Sequence, residues 1–123
     1  MDQSIFKKMH IKPHTSGRMF YAPEIYIEMM KNQDDVDFEG ENPTFLHLFV
    51  TSLAEYNERI KEVLPLVNDK TRLWISYKKQ HGKEKFDINR DSFFELGLRD
   101  GLKPFSNVAL DESWSCIGFK KAI

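Results

Sequence analysis

Four lysines and a histidine crowd one short stretch of this chain, "YKKQHGKEKF", where Lys78, Lys79, His81, Lys83 and Lys85 are opposed only by Glu84. Ammonium groups in such a loop attract phosphate or carboxylate, and Gly82 lets the loop turn tightly. A second group of chemically capable residues, Asp111, Glu112, Ser113, Trp114 and Ser115, lies in "LDESWSC". If His81 met Asp111, the two would form an acid–base pair, with Ser113 or Ser115 as nucleophile. No sequence feature brings them together, and neither a nucleophile elbow nor Walker-type spacing is present. The residue types therefore point to anion binding before catalysis, the other reading being a solvated loop whose lysines keep the protein soluble and are partly neutralised by Asp111 and Glu112. Trp114 adds a ring on which a base could stack.

The remaining candidates read as structural. Cys116 is the single cysteine, so no intramolecular disulfide forms, and no Cys/His cluster has metal-ligand spacing. His47 lies inside the apolar run "TFLHLFV" and reads as a core histidine satisfied by hydrogen bonds. The net charge of −1 does not imply a bulk polyanion partner. Single-stranded nucleic acid would want aromatics between basic residues, and Tyr77, Lys78, Lys79 and Trp114 make only a thin version, so nucleic acid is not an expected partner. Asp34, Asp35, Asp37, Glu39 and Glu41 form an acidic run with no base among them. No stretch has the length of a signal peptide's apolar core or of a membrane span, so the cytoplasm is the expected compartment.

The elements that must hold these residues follow from periodicity and punctuation. Residues 1–17 are expected to be an N-terminal arm, and 18–123 a single α/β domain. Arg18 to Ala22 reads as a strand, and Pro23 with Glu24 as a helix start. Val36 to Glu39 alternates like an exposed edge strand, and Thr44 to Val50 reads as a central strand covered on both faces. Ser52 and Glu55 form a capping box ahead of the stripe Leu53, Tyr56, Ile60, Val63, Leu64 and Val67. "RLWISY" is the next interior strand. Asp87 or Asn89 caps a further helix, Gly101 and Pro104 stop it, and "FSNVAL" and "WSCIGF" form a hairpin across "DES". The order β-α-β-β-α-β-α-β-β predicts about six strands in a mostly parallel sheet, closed by an antiparallel pair and flanked by helices in three layers.

Open α/β sheets take ligands at the carboxyl ends of their strands. If the first, third, fourth and fifth strands run the same way, Tyr21-Ala22-Pro23, Thr51-Ser52, the loop from Lys78 to His81, and Asp111 to Trp114 meet on one edge. The expected anion site is thus Thr51, Ser52, Lys78, Lys79, His81, Lys83, Asp111 and Trp114, with amides at the Ser52 or Asn89 helix start as further donors. No metal and no cofactor are expected there.

"PTFLHLFV…AEYNERIKEVLPLVNDKTRLWISY" resembles the second half of the methyltransferase-type Rossmann fold, and "LGLRDGLKPFSNVALDESWSCIGFKK" continues the likeness through its last helix and antiparallel strand pair. "LWISYKK", "INRD", "GLKP" and "VALDESWS" together resemble a small bacterial family of uncharacterised proteins, over about residues 17 to 121. The resemblance implies a Rossmann-like, methyltransferase-like domain. Active enzymes of that fold hold S-adenosylmethionine over a glycine-rich turn after the first strand, where this chain has "FYAPEIYIEMM". Glu39 or Glu41 could be offered to ribose hydroxyls, but without the glycine turn the offer is weak. The expected function is a binding or interaction module rather than an enzyme, with a divergent S-adenosylmethionine-dependent methyltransferase as the alternative. A small anionic ligand is the expected partner, and a homodimer through an exposed sheet edge or an apolar patch is a further option.

Overall fold

The computed structural model describes residues 4–31, 33–79 and 86–122. Thr15–Phe20 (β1), Val36–Asp37 (β2), Phe45–Val50 (β3), Arg72–Lys78 (β4), Leu102–Ala109 (β5) and Trp114–Lys121 (β6) form one sheet in the order β2-β1-β3-β4-β6-β5. β1 to β4 are parallel. β6 runs antiparallel between β4 and β5, so β5 points the same way as the parallel set. This is the mostly parallel, six-strand α/β sheet with an antiparallel end that the sequence predicts.

Helices Ser4–Lys8 (α1) and Glu24–Met30 (α2) cover one face, and Leu53–Val63 (α3) and Arg90–Arg99 (α4) the other. β3 shows why its sequence is apolar throughout. Leu46, Leu48 and Val50 pack with Tyr56, Ile60 and Phe93 on the α3/α4 side, while Phe45 and Phe49 pack with Ile5, Phe6 and Tyr26 on the other. A strand buried on both faces has no position left for a solvated side chain. The N-terminal segment contributes to the core, since its Ile5, Phe6 and Met9 are buried.

Element boundaries depart from the sequence where a residue serves packing rather than punctuation. β1 starts at Thr15, not Arg18, and Gly17 lies inside it. A side chain on Gly17 would stand 2.7 Å from Val36 Cγ1 and 2.9 Å from Phe45 Cδ2, so this glycine is a gap for neighbouring strands and not a turn. The strand ends at Phe20 because Tyr21 turns left-handed, with φ 59°. β2 is only two residues long. Pro104 lies within β5 instead of stopping α4, and tolerates this because β5 is the outermost strand and bulges between Pro104 and Ser106.

The helix caps also shift. Ser52 Oγ accepts from the Glu55 amide, as a capping box requires, but the Glu55 carboxylate bonds the amide and hydroxyl of Thr51, at 2.6 and 2.8 Å. Burial raises the Glu55 pKa, but these two bonds and Arg59 outweigh it and hold the carboxyl below its usual range. Asn89, not Asp87, caps α4, exchanging hydrogen bonds with Ser92. Asp87 instead accepts from the Leu53 amide at 2.8 Å and so closes the start of α3.

Candidate functional site

The carboxyl ends of β1, β3, β4 and β5 share one edge, as the expected convergence requires. Lys78 and Trp114 are cross-strand partners, and the Lys78 ammonium lies 4.7 Å from the indole centroid. Lys79 donates from Nζ to the Asp111 carbonyl at 2.8 Å and from its backbone amide to the Ser113 carbonyl at 2.9 Å. Asp111 Oδ1 accepts from the Ser113 and Trp114 amides, both at 2.7 Å. Lys78, Lys79, Asp111 and Trp114 are therefore one assembly that fastens the β5–β6 hairpin tip to the end of β4.

The same contacts limit what the assembly offers a ligand. Trp114 is 6% exposed, with its ring edge against Phe49 at 5.3 Å, so its indole is a wall of the core and no open stacking face. Thr51 and Ser52 lie on the neighbouring strand end with their side chains committed to Glu55. Three amides at the two helix starts already have side-chain acceptors: Leu53 on Asp87 and Glu55 on Ser52 at α3, and Ser92 on Asn89 at α4. His81 and Lys83 lie outside the described residues, and with them the His81–Asp111 pair. Ser113 is exposed, while Ser115 is buried with its hydroxyl 3.3 Å from Asn107 Oδ1.

At the end of β1, Tyr21, Ala22 and Pro23 occupy the turn. Tyr21 lays its ring under the Arg59 guanidinium, 4.2 Å away, and its hydroxyl donates to Glu62, so a bulky side chain spans from β1 to α3. That hydrogen bond is the main cause of a raised Tyr21 pKa. The acidic residues after β2 lie low on the sheet. Asp37 pairs with Ser16, four residues before β1 ends, which is on the order of 13 Å along the strand. Arg18 then ties the loop down, donating to the carbonyls of Phe38 and Gly40 at 3.2 and 2.6 Å. Glu39 and Glu41 are exposed on this loop and start well below the Tyr21 turn.

His47 is the buried polar centre of the α1/α2 side. Its Nδ1 is 2.9 Å from the Tyr26 hydroxyl and its Nε2 2.5 Å from Ser76 Oγ, with the ring stacked on Phe49 at 4.2 Å. Cys116, on β6, is the buried cross-strand partner of Ser76. Burial pushes His47 down to about 3 and Cys116 up to about 12, so both are neutral at pH 7. With solvent excluded from all four groups, this network supports the core and has no access for a substrate.

Among the described residues, no three His, Cys, Asp or Glu side chains gather as metal ligands, and no helix is long and apolar enough to cross a membrane. Neither a family model nor a curated protein matches the sequence. Solved structures do. A SAM dependent methyltransferase from Aquifex aeolicus superimposes with a TM-score of 0.61 at 10% identity, over 95% of this chain and 87% of that one. LepI in complex with SAH and a substrate analogue aligns with 0.54 at 11%, and the mitomycin 7-O-methyltransferase MmcR with 0.53 at 8%. These two alignments take in 95% and 89% of this chain but span only 39% and 49% of the larger proteins. At such identities the similarity establishes the methyltransferase-type Rossmann fold and nothing finer.

Proposed function

We propose that this domain is a binding module built on a methyltransferase-type sheet, and that it does not transfer methyl groups. The turn after β1 carries this reading. Small residues there would let a cofactor approach the backbone; here Tyr21 and Pro23 fill the turn, and Tyr21 is fastened across to Arg59 and Glu62. The low register of β2 supports it, because an acid on that strand stands far from the β1 end. The likeness to a small bacterial family adds no activity to this.

An anion held at the carboxyl edge would recruit Lys78 and Lys79 from Trp114 and the Asp111 carbonyl. Replacing both lysines with glutamine is then expected to abolish binding of any anion found there. Unchanged binding in that variant would remove the edge from consideration.

The alternative, a divergent S-adenosylmethionine-dependent methyltransferase, is favoured by the superposition over nearly the whole length of the Aquifex enzyme. Calorimetric titration with S-adenosylmethionine and S-adenosylhomocysteine separates the two readings. The binding-module reading expects no saturable heat at millimolar ligand, and a micromolar dissociation constant would replace it with the methyltransferase.

A further inference from the structure

We propose that the opposite, amino edge of the sheet holds an unassigned ligand site that takes a base-bearing phosphate, free as a nucleotide or as one nucleotide of a single strand. At this edge the first residues of β1, β3 and β4 (Thr15, Phe45 and Arg72) open onto a pocket of about 260 Å³. Met9 to Lys12, between α1 and β1, form one wall, and Phe105 of β5 forms the other. Phe45 and Trp74 make a buried aromatic floor, and Phe105, 42% exposed, meets Trp74 edge-on at 5.4 Å. The volume suits one base and is too small for a dinucleotide.

Charge supplies the second half of the argument. His10, Lys12, Lys70 and Arg72 line the pocket with no acidic residue among its lining. The Arg72 guanidinium lies 5.8 Å from the Phe105 centroid, so an arginine and an aromatic ring flank the same opening. Base stacking on aromatic and guanidinium faces, next to cations that hold phosphate, is the usual chemistry of single-nucleotide recognition. Arg72 is also shared with an adjoining depression of about 500 Å³, lined by Lys103, Lys120, Lys121 and the lone acid Asp69. In a chain of net charge −1, such a gathering of cations is a local feature and not a bulk property.

Three backbone features build the pocket. Phe105 is the extra residue of the β5 bulge, and bulges commonly re-aim a side chain beside a site. Gly118 opposite leaves the room it needs, since a Cβ there would stand 2.7 Å from Phe105 Cζ and 3.0 Å from Trp74 Cη2. His10 ends α1 in the left-handed conformation, with φ 57°, at a position glycine usually takes. A non-glycine residue held there is a departure of the kind found at ligand clamps.

The test follows the two indole N–H resonances of ¹⁵N-labelled protein during titration with AMP, adenosine, inorganic phosphate and a short oligoadenylate. AMP is expected to move the Trp74 signal and leave Trp114, at the other edge, in place. Adenosine and phosphate alone are expected to bind at least about tenfold more weakly, and added salt to weaken AMP. Arg72→Gln and Phe105→Leu should each lower AMP affinity about tenfold with the melting temperature unchanged. Tighter binding of the oligoadenylate than of AMP identifies the single strand as the source, and equal binding the free nucleotide. The proposal is overturned if no probe moves Trp74 at millimolar concentration, if phosphate alone binds as tightly as AMP, or if both variants bind as wild type does. It is independent of methyl transfer, because S-adenosylhomocysteine in the β1 turn would leave the Trp74 signal unmoved.

Discussion

Between pH 7 and pH 4 this domain is expected to lose about 3 kcal/mol of stability through His47 alone. The imidazole is fully buried between Tyr26 and Ser76, and its pKa falls from 6.5 to about 3 because burial penalises the charged form. Below pH 6.5 the unfolded chain takes up a proton that the folded chain refuses. The unfolded state then binds more protons, so unfolding becomes easier as pH falls. The contribution is fully present above 6.5 and is lost progressively down to about 3. The carboxyl of Glu55 has the same sign but acts in a lower window, below the ordinary glutamate range. The slope between pH 6.5 and 5 therefore belongs to the histidine.

Urea unfolding at half-unit steps of pH reads that slope directly. Wild type is expected to show about 1.2 kcal/mol per pH unit near pH 5.5. His47→Gln can still bond Tyr26 and Ser76 but carries no titrating group, so its profile should be flat between pH 7 and 5. A flat wild-type profile would mean that the imidazole charges without unfolding the domain. For a fold whose total stability is on the order of 5–15 kcal/mol, the expected loss is a large fraction.

The fold was legible because its strongest signals are local. "TFLHLFV" and "RLWISY" are too apolar to lie anywhere but the sheet interior, and the helix between them carries a clean stripe. His47 could be read as a satisfied core histidine for the same reason, since every neighbour in its strand is apolar. The carboxyl-edge cluster was half legible. Strand direction brings Lys78, Lys79, Asp111 and Trp114 together, but their mutual bonds depend on side-chain geometry that no spacing encodes. The amino-edge pocket left no trace in the sequence, because its parts come from the α1–β1 loop and from the starts of strands far apart in the chain. Pro104 reads as a helix stop and Phe105 as the first residue of a strand, and the two lie together at the bulge of an edge strand.

Gly97 marks the sharpest conflict between local and tertiary demands, and it carries the second large prediction. As a helix, "RDSFFELGLR" is weakened by glycine in its interior, and alanine there should stabilise an isolated helix by about 1 kcal/mol. In the folded domain a Cβ on Gly97 would stand 2.4 Å from Phe119 Cε1 and 3.0 Å from Cδ1. The Phe119 ring is fully buried among Leu73, Ile117 and Phe93 and has nowhere to move. Gly97→Ala is therefore expected to destabilise by about 2 kcal/mol, and Gly97→Val by more, because overpacking a closed core costs more than helix propensity returns. Shortening the opposing ring tests the cause. In Phe119→Leu the added methyl finds space, so the double variant should be more stable than the two single losses predict, by about 1 kcal/mol or more. Strict additivity would show that Gly97 serves the helix backbone and not the contact of α4 with β6.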